Sequence, residues 1–361
     1  MPKSIVFTVT TDISHDQRML RIAGTLAEAG FNVTLVGRVL PHSPALQKKN
    51  FRQHRFKCLF RKGPLFYLEY NLRLVLWFFT HSFEVYGAVD ADTALACIIT
   101  SMWRRKPFVF DAHELFPEMP EVVHRPVVKD IWAAVERMAF ARASLAYTVS
   151  SSLVSYFQQK YKREVHLIRN MPLRQKKLGE PEVPPYFIYQ GALNIGRGLE
   201  TLLEAMQQVP ARLVICGEGP LKAHLHEIAA KLGVQDKVIF KGNVAPDALA
   251  QITSSAYAGL MLLDNQGLSY YYSLANKFFD YVQAGIPQVC VPFPEYQRLN
   301  SAYEVALFTQ NEVFEVRNTM LTLLQDQETY QQLRQNCMIA REEWSWETEG
   351  QKLVALYARF L

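Results

Sequence analysis

Several things are missing from this 361-residue sequence, and each absence excludes a class of protein. The five cysteines, at 58, 97, 216, 290 and 337, form no Cys-x-x-Cys pair and no zinc spacing. Buried, reduced thiols of a cytosolic protein are therefore expected, not a disulfide scaffold or a zinc fold. No run reaches the ~18–20 apolar residues of a spanning helix. The start, MPKSIVFTVT, is too polar and too soon strand-like for a signal peptide. No fixed-period repeat or low-complexity tract is visible. Neither a Walker loop nor a G-x-G-x-x-G followed by an acid about 20 residues on is present. The net charge of +5 is too weak alone to argue for nucleic acid. What is there is 49% hydrophobic and 20% charged, enough to build a core, at a length that suits two domains.

Strand-like and helix-like stretches alternate. SIVFTVT reads as a strand, residues 15–29 as a helix stopped by Gly30, and FNVTLVGR as a second strand. A strand–helix–strand opening implies a right-handed crossover and a parallel sheet. FEVYGAV, a helix over 93–102, PFVFD, a helix over 127–142, LAYTVS, a helix over 151–161 and VHLI continue it. NMPLRQKKLGEPEVPP then shifts composition toward proline and charge, which marks a linker. FIYQ, RLVICG, KVIFKG, AGLMLL and PQVCVP, with helices between, restart the alternation. The expected organisation is two doubly wound, Rossmann-like α/β domains: residues 1–172, a linker over 173–185, residues 186–338, and a terminal helix over 339–361. Ligands of such sheets collect at the carboxyl ends of the strands, so the site is expected in a cleft between the two sheets.

Three turns of the second half carry candidate chemistry. SLANKFFDYVQAGIP (residues 273–287) reads as a helix that Ser273 or Asn276 can cap. Its free first-turn N–H groups and dipole make an anion site, to which Lys277 adds a full charge; the bland alternative is a solvated lysine. In YQGALNIGRGLE, Gly191, Gly196 and Gly198 surround Arg197 in a strand-to-helix turn. Backbone amides there can approach a phosphate closely and the guanidinium can grip it bidentately. Two turns with one cation each suit a diphosphate held without a tightly bound metal. CGEGP (216–220) offers Gly217 and an acceptor, Glu218, for a base or ribose, or simply for the next helix.

In the first half, PFVFDAHELFPEMPE ends a strand at Asp111. His113, two residues on, either donates to a substrate oxygen or is a structural histidine bonded to Asp111. Glu114, Glu118 and Glu121 have no His-x-x-x-His partner, so no metal site is read. TTDISHDQR adds Asp12, Asp16 and Arg18 after the first strand, with an Asp16–Arg18 contact as the structural reading. KKNFRQHRFKCLFRK, running from Lys48 to Lys62, holds seven Lys/Arg and no acid, and PLFYLEYNLRLVLWFF follows it. The pair suits docking at an anionic membrane interface; RNA lacks an accompanying recognition pattern, and a solvated basic loop before a core helix is the plain alternative.

These residues together resemble glycosyltransferase family 4, with the two-domain GT-B fold of Rossmann-like domains facing across a cleft. DAHELFPE (111–118) is similar to the first-domain histidine motif of one bacterial branch. YQGALNIGRGLETLLEA (189–205) is similar to the phosphate-binding turn and helix. VICGEGP (214–220) and VIFKGNV (238–244) fit the strands that come next, and SLANKFFDYVQAGIPQV (273–289) resembles that branch's Asn-Lys block. The last residues resemble a helix that crosses back to the first domain. The resemblance implies retaining transfer of a sugar from a nucleotide diphosphate sugar to a hydroxyl, with no metal and no cofactor. Arg197 and Lys277 would stabilise the leaving diphosphate, with the helix start at Ser273, Leu274, Ala275 and Asn276. Asp280 would accept from the ribose, Gly217 and Glu218 would lie near the nucleoside, and His113 would touch the donor sugar. Asp12, Asp16 and Glu114 would lie on the acceptor side.

Three positions depart from the family pattern. Tyr272 stands where the family's first acid would be, Ala192 where an arginine is frequent, and Ala275 where proline is usual. A nucleotide-sugar epimerase and a non-catalytic partner of another glycosyltransferase are the alternatives. The expected setting is cytoplasmic, at the inner face of the cell membrane, with a glycan or lipid-linked acceptor, membrane contact through the Lys48 to Lys62 segment, and no nucleic acid.

Overall fold

The computed structural model describes residues 3–361. The chain divides into two compact units: residues 1–170 with 349–361, and residues 171–348. Unit 1 contains β1 (Ser4–Thr8), α1 (Gln17–Glu28), β2 (Asn32–Arg38), β3 (Arg52–Phe56), α2 (Pro64–Thr80), β4 (Val85–Val89) and α3 (Ala94–Arg104). It continues with β5 (Phe108–Ala112), α4 (Pro120–Val123), α5 (Pro126–Arg142), β6 (Leu145–Thr148), α6 (Ser151–Tyr161) and β7 (His166–Leu167). Unit 2 contains β8 (Tyr186–Gln190), α7 (Leu199–Ala205), β9 (Arg212–Cys216), α8 (Lys222–Lys231), β10 (Val238–Gly242), α9 (Pro246–Ser254) and β11 (Ala258–Met261). Then come α10 (Leu268–Tyr271), α11 (Asn276–Gln283), β12 (Gln288–Cys290), α12 (Pro294–Ala302), β13 (Ala306–Phe308), α13 (Val313–Gln325) and α14 (Gln327–Glu343), while α15 (Trp346–Phe360) starts in unit 2 and belongs to unit 1 from Glu349 on.

Each unit is a parallel sheet flanked by helices. The strand orders are β3-β2-β1-β4-β5-β6-β7 and β10-β9-β8-β11-β12-β13. Every pairing among the described residues is parallel. The order reverses direction between β1 and β4 in unit 1 and between β8 and β11 in unit 2, the points where such sheets open a crevice at their carboxyl edge. The central strands are covered on both faces, so β4, β5 and β8 are buried throughout, as near-continuous apolar runs of parallel sheets require. β8 pairs with β9 so that Gln190 lies opposite Cys216. This register brings the next residue of each strand, Gly191 and Gly217, level with the other.

The proline-rich stretch after residue 170 lies along unit 2. Gln175 N–H donates to Gln283 Oε1 (3.1 Å), and the Arg341 guanidinium donates to the Gln175 carbonyl. The last residues return to unit 1, where Tyr357 is fully buried. Its ring packs against Phe7 and Phe31, with centroids 6.2 and 6.4 Å apart, and its hydroxyl is 3.3 Å from that of Tyr147. The return begins at Glu349, three residues into α15, and α14 stays wholly in unit 2. Among the described residues, no helix is long and apolar enough to cross a membrane.

The basic segment departs from the loop alternative. Residues 52–56 form β3, an edge strand paired with β2. Arg55 turns inward, 3.1 Å from Asp12 Oδ1. Phe51 is buried, and His54 stacks on Trp77 at 5.2 Å. Charge hid the strand: its sheet hydrogen bonds come from the backbone, whatever the side chains are.

Candidate functional site

The two glycine turns after β8 and β9 press against each other. Gly191 N–H donates to the Cys216 carbonyl at 2.9 Å. A Cβ on Gly217 would lie 1.8 Å from the Gly191 oxygen, inside any tolerable contact, so only glycine fits there. The β8 turn then carries Arg197 between Gly196 and Gly198, both at positive φ (81° and 66°). Gly198 is the N-cap of α7 in the left-handed conformation, and a Cβ on it would also strike the Leu262 carbonyl at 2.5 Å.

Arg197 and Lys277 line one pocket of about 320 Å³ with Gly191, Ala192, Asn276 and Asp280. Each cation lies over an aromatic ring: the Arg197 guanidinium 5.2 Å above Tyr270, and Lys277 Nζ 3.9 Å above Tyr189. Such contacts attract a cation without neutralising it. Arg197 Nε is buried and has no hydrogen-bond partner among the described residues. Burial draws the Lys277 ammonium down to about 7, the Arg197 charge pushes the same way, and Asp280 opposes both. Two cations near enough to repel, one with an orphaned donor, are complementary to an anion of more than one charge.

Asp280 is held from below. Its Oδ2 accepts from Gln190 Nε2 at 2.9 Å, and Gln190 Oε1 accepts from the Thr253 hydroxyl at 2.8 Å. Gln190 is 5% exposed at the end of β8. It was not singled out from the sequence, where the only signal was a polar residue closing an apolar strand.

The start of α11 differs from the capping expected of Ser273 or Asn276. Ala275 is the N-cap, in extended conformation, and no side chain caps the helix. Ser273 Oγ instead donates back to the Tyr270 carbonyl at 2.7 Å. Ala275 N–H donates to the Tyr296 hydroxyl at 3.1 Å. Leu274 packs against the hydrophobic core, and Asn276 is the first helical residue. Glu218 does not line the pocket. It is exposed and paired with Lys222, one turn on, at 2.7 Å. Tyr272 closes α10 as its C-cap.

In unit 1, Asp111 and its neighbours form a charged cluster at the carboxyl ends of β4 and β5. Arg18 is buried and donates through Nη2 to Asp111 Oδ1 at 3.0 Å and through Nη1 to the Ile168 carbonyl at 3.0 Å. Arg18 therefore pairs with Asp111, not with Asp16 as the sequence suggested. Asp16 caps α1 by accepting from Met19 N–H at 3.0 Å. His113 Nε2 stands 2.8 Å from Asp111 Oδ2 and 2.7 Å from Arg18 Nε. Burial alone would disfavour its charge, but the Asp111 and Asp90 carboxylates prevail and raise its proton affinity. Asp90, missed from the sequence, sits at positive φ (57°), and its Oδ1 accepts from the backbone N–H of His113 at 2.7 Å and of Glu114 at 3.3 Å. Burial raises both Asp90 and Asp92 to about 6. Asp12 is fully engaged. Burial opposes its charge, yet hydrogen bonds from Ser43, Ser14 and Arg55 hold it well below the usual carboxylate range. Among the described residues, no group of three or more His, Cys, Asp or Glu is arranged to hold a metal ion.

Residues 170–338 match the family model described as glycosyl transferases group 1, and residues 17–171 match that of glycosyltransferase family 4. D-rhamnosyltransferase WbpZ of Pseudomonas aeruginosa is 36% identical over 84 residues, which is 23% of this chain and 21% of that protein. The curated relatives are matched over only 21 to 28% of their own length. Among solved structures, sucrose-phosphate synthase of Thermosynechococcus elongatus superposes with a TM-score of 0.79 at 17% identity, over 99% of this chain and 98% of that one. HepE of Anabaena, solved in complex with UDP and glucose, gives 0.77 at 15% identity, over 99% of each chain.

Proposed function

Because the chain belongs to the group 1, family 4 type glycosyltransferases and has their GT-B fold, we propose that it moves a sugar from a nucleoside diphosphate sugar to an acceptor hydroxyl with retention of configuration. The observation that carries this reading is the paired Arg197 and Lys277 in one pocket, two cations with no acid fully neutralising them. The bond between the sugar's anomeric carbon and the phosphate oxygen breaks as the sugar becomes oxocarbenium-like. The acceptor oxygen bonds to the same face that the diphosphate leaves, and a phosphate oxygen takes the acceptor's proton. Charge grows on the departing diphosphate, where preorganised donors contribute about 3 kcal/mol each. The Arg197 Nε proton and the recharged Lys277 ammonium are such donors. Asp280, oriented by Gln190, accepts from the ribose hydroxyls. No carboxylate nucleophile is required, and the reaction does not route its charge through a metal. The acceptor is a glycan or lipid-linked precursor of a surface polysaccharide or glycolipid, and the setting is the cytoplasmic face of the cell membrane.

The solved relative HepE, bound to UDP and glucose, supports a nucleotide sugar as donor. The test is a thermal-shift screen over UDP and GDP sugars, then a transfer assay on Arg197→Ala and Lys277→Ala. Both variants should keep the fold and lose most transfer. Wild-type turnover in both would sink the diphosphate role, and donor consumption without any acceptor would mark an epimerase instead.

A further inference from the structure

Helix α2 is apolar on two opposite sides. Phe66, Tyr70, Leu74 and Phe78 point into unit 1 and are buried. Leu65, Leu68, Leu72, Leu76 and Phe79, spaced three or four residues apart, lie on the opposite face and are all more than half exposed. A helix apolar all round is normally covered on all sides, so this outer stripe lacks its cover. It does not end with α2. The Phe79 ring meets Trp103 of α3 at 4.8 Å. On α3, Ile99 and Trp103 are more than half exposed, as are Val127 and Ile131 on α5, which packs against α3. Arg104 holds the α2–α3 join: its Nη2 donates to the Phe78 and Phe79 carbonyls at 2.6 and 3.1 Å, and its guanidinium lies 4.8 Å above the Trp103 ring. An apolar face continuing over three helices is larger than scattered surface leucines explain.

The charge around the face is mostly positive, although Asp130 is exposed on α5 and Lys129 is paired with Glu118 at 2.7 Å. Residues 59–80, 94–106 and 125–142 hold ten Lys/Arg and three acids. Two of those acids are already engaged: Glu69 by Arg73 at 2.8 Å, and the buried Glu136 by Lys160 at 3.0 Å. Arg61 and Lys62 precede the stripe on α2, and Arg105 and Lys106 follow α3, all exposed. We propose that this α2–α3–α5 face of unit 1 docks on the anionic surface of a lipid bilayer, with the leucine stripe entering the headgroup–acyl boundary and the flanking cations meeting lipid phosphates. An apolar strip bordered by Lys, Arg and aromatic side chains is the pattern of an interfacial helix that lies on a membrane. Of the Lys48 to Lys62 segment only the end, Arg61 and Lys62, belongs to this contact, because the segment's centre is an edge strand with Arg55 turned inward. It stands on unit 1 alone and does not depend on the sugar-transfer reading.

The test is co-sedimentation of the full chain with sucrose-loaded vesicles, of phosphatidylcholine alone or mixed equally with phosphatidylglycerol. The protein should pellet with the anionic vesicles and stay in the supernatant with the neutral ones. The triple variant Leu68→Gln, Leu72→Gln, Leu76→Gln should weaken partitioning by a hundredfold or more, with unchanged thermal unfolding showing that the buried face is intact. The double variant Arg105→Gln, Lys106→Gln should weaken it by about fivefold per residue removed. The triple variant Lys48→Gln, Lys49→Gln, Arg52→Gln should cost less than either. The proposal is overturned if the parent ignores anionic vesicles or if the leucine variant pellets like the parent. It is equally overturned if sedimentation velocity shows a dimer that the leucine variant abolishes while vesicles capture neither protein, since the face would then cover a second copy.

Discussion

Replacing Lys277 with methionine should stabilise the ligand-free protein and destroy its response to a nucleotide. Lys277 is 9% exposed, and its ammonium is drawn from 10.5 to about 7 by burial and by Arg197. Each pKa unit is worth about 1.36 kcal/mol, so keeping this lysine in the pocket costs roughly 3–5 kcal/mol at pH 7 and below. Methionine removes that cost and can still lie against the Tyr189 ring. Because the folded pKa is the lower one, the unfolded chain binds more protons between pH 7 and 10.5. The parent therefore gains stability as pH rises through that window, whereas Lys277→Met should show no such gain. A bound diphosphate reverses the balance by restoring the charge. Binding then takes up a proton, and UDP affinity should fall above about pH 7 by up to tenfold per unit, a slope absent from the variant. Thermal unfolding from about pH 6 to 10, with and without UDP, reads both effects. A variant less stable than the parent at neutral pH, or a parent whose stability is flat across that range, would refute a charge held under strain for an anion.

Three further outcomes rest on the same structure. Gly217→Ala should unfold unit 2 or lower its melting temperature by many degrees, because the added methyl meets the Gly191 carbonyl and nothing there is a flexible side chain; circular dichroism melts check it. Asp111→Ala leaves Arg18 charged and buried, which costs about 3–5 kcal/mol, and Arg18→Met combined with Asp111→Leu should recover much of it in denaturant titration. Gln190→Leu removes the donor that orients Asp280; calorimetry should show UDP binding weakened by about tenfold, the scale of one lost hydrogen bond to a charged group, with stability nearly unchanged because the Thr253 hydroxyl keeps the Leu249 carbonyl as acceptor.

Much of the site is legible because its signals are local. Arg197 announces itself by the glycines around it, and Lys277 by a polar helix start after an apolar strand. These arise from backbone geometry over a few residues, and the structure places both in one pocket. The misreadings involve partners far along the chain. Ser273 has the composition of a cap, but its hydroxyl closes the turn behind it while Tyr296, from α12, takes the Ala275 N–H. Arg18 has an acid two residues before it, yet its partner is Asp111, 93 positions away.

The alternation of strand and helix, the parallel sheets it implies, the glycine turn that carries Arg197 and the helix start that carries Lys277 belong to the sequence alone, since periodicity, helix starts and φ > 0 are properties of short segments. Which groups face one another waits on strand register and helix packing. Register sets Gly191 against Gly217 and puts Gln190 beneath Asp280. Packing stacks Tyr189 and Tyr270 under the two cations, and it leaves one side of α2 uncovered. Those pairings are sums over contacts tens to hundreds of residues apart, and no window of sequence contains them.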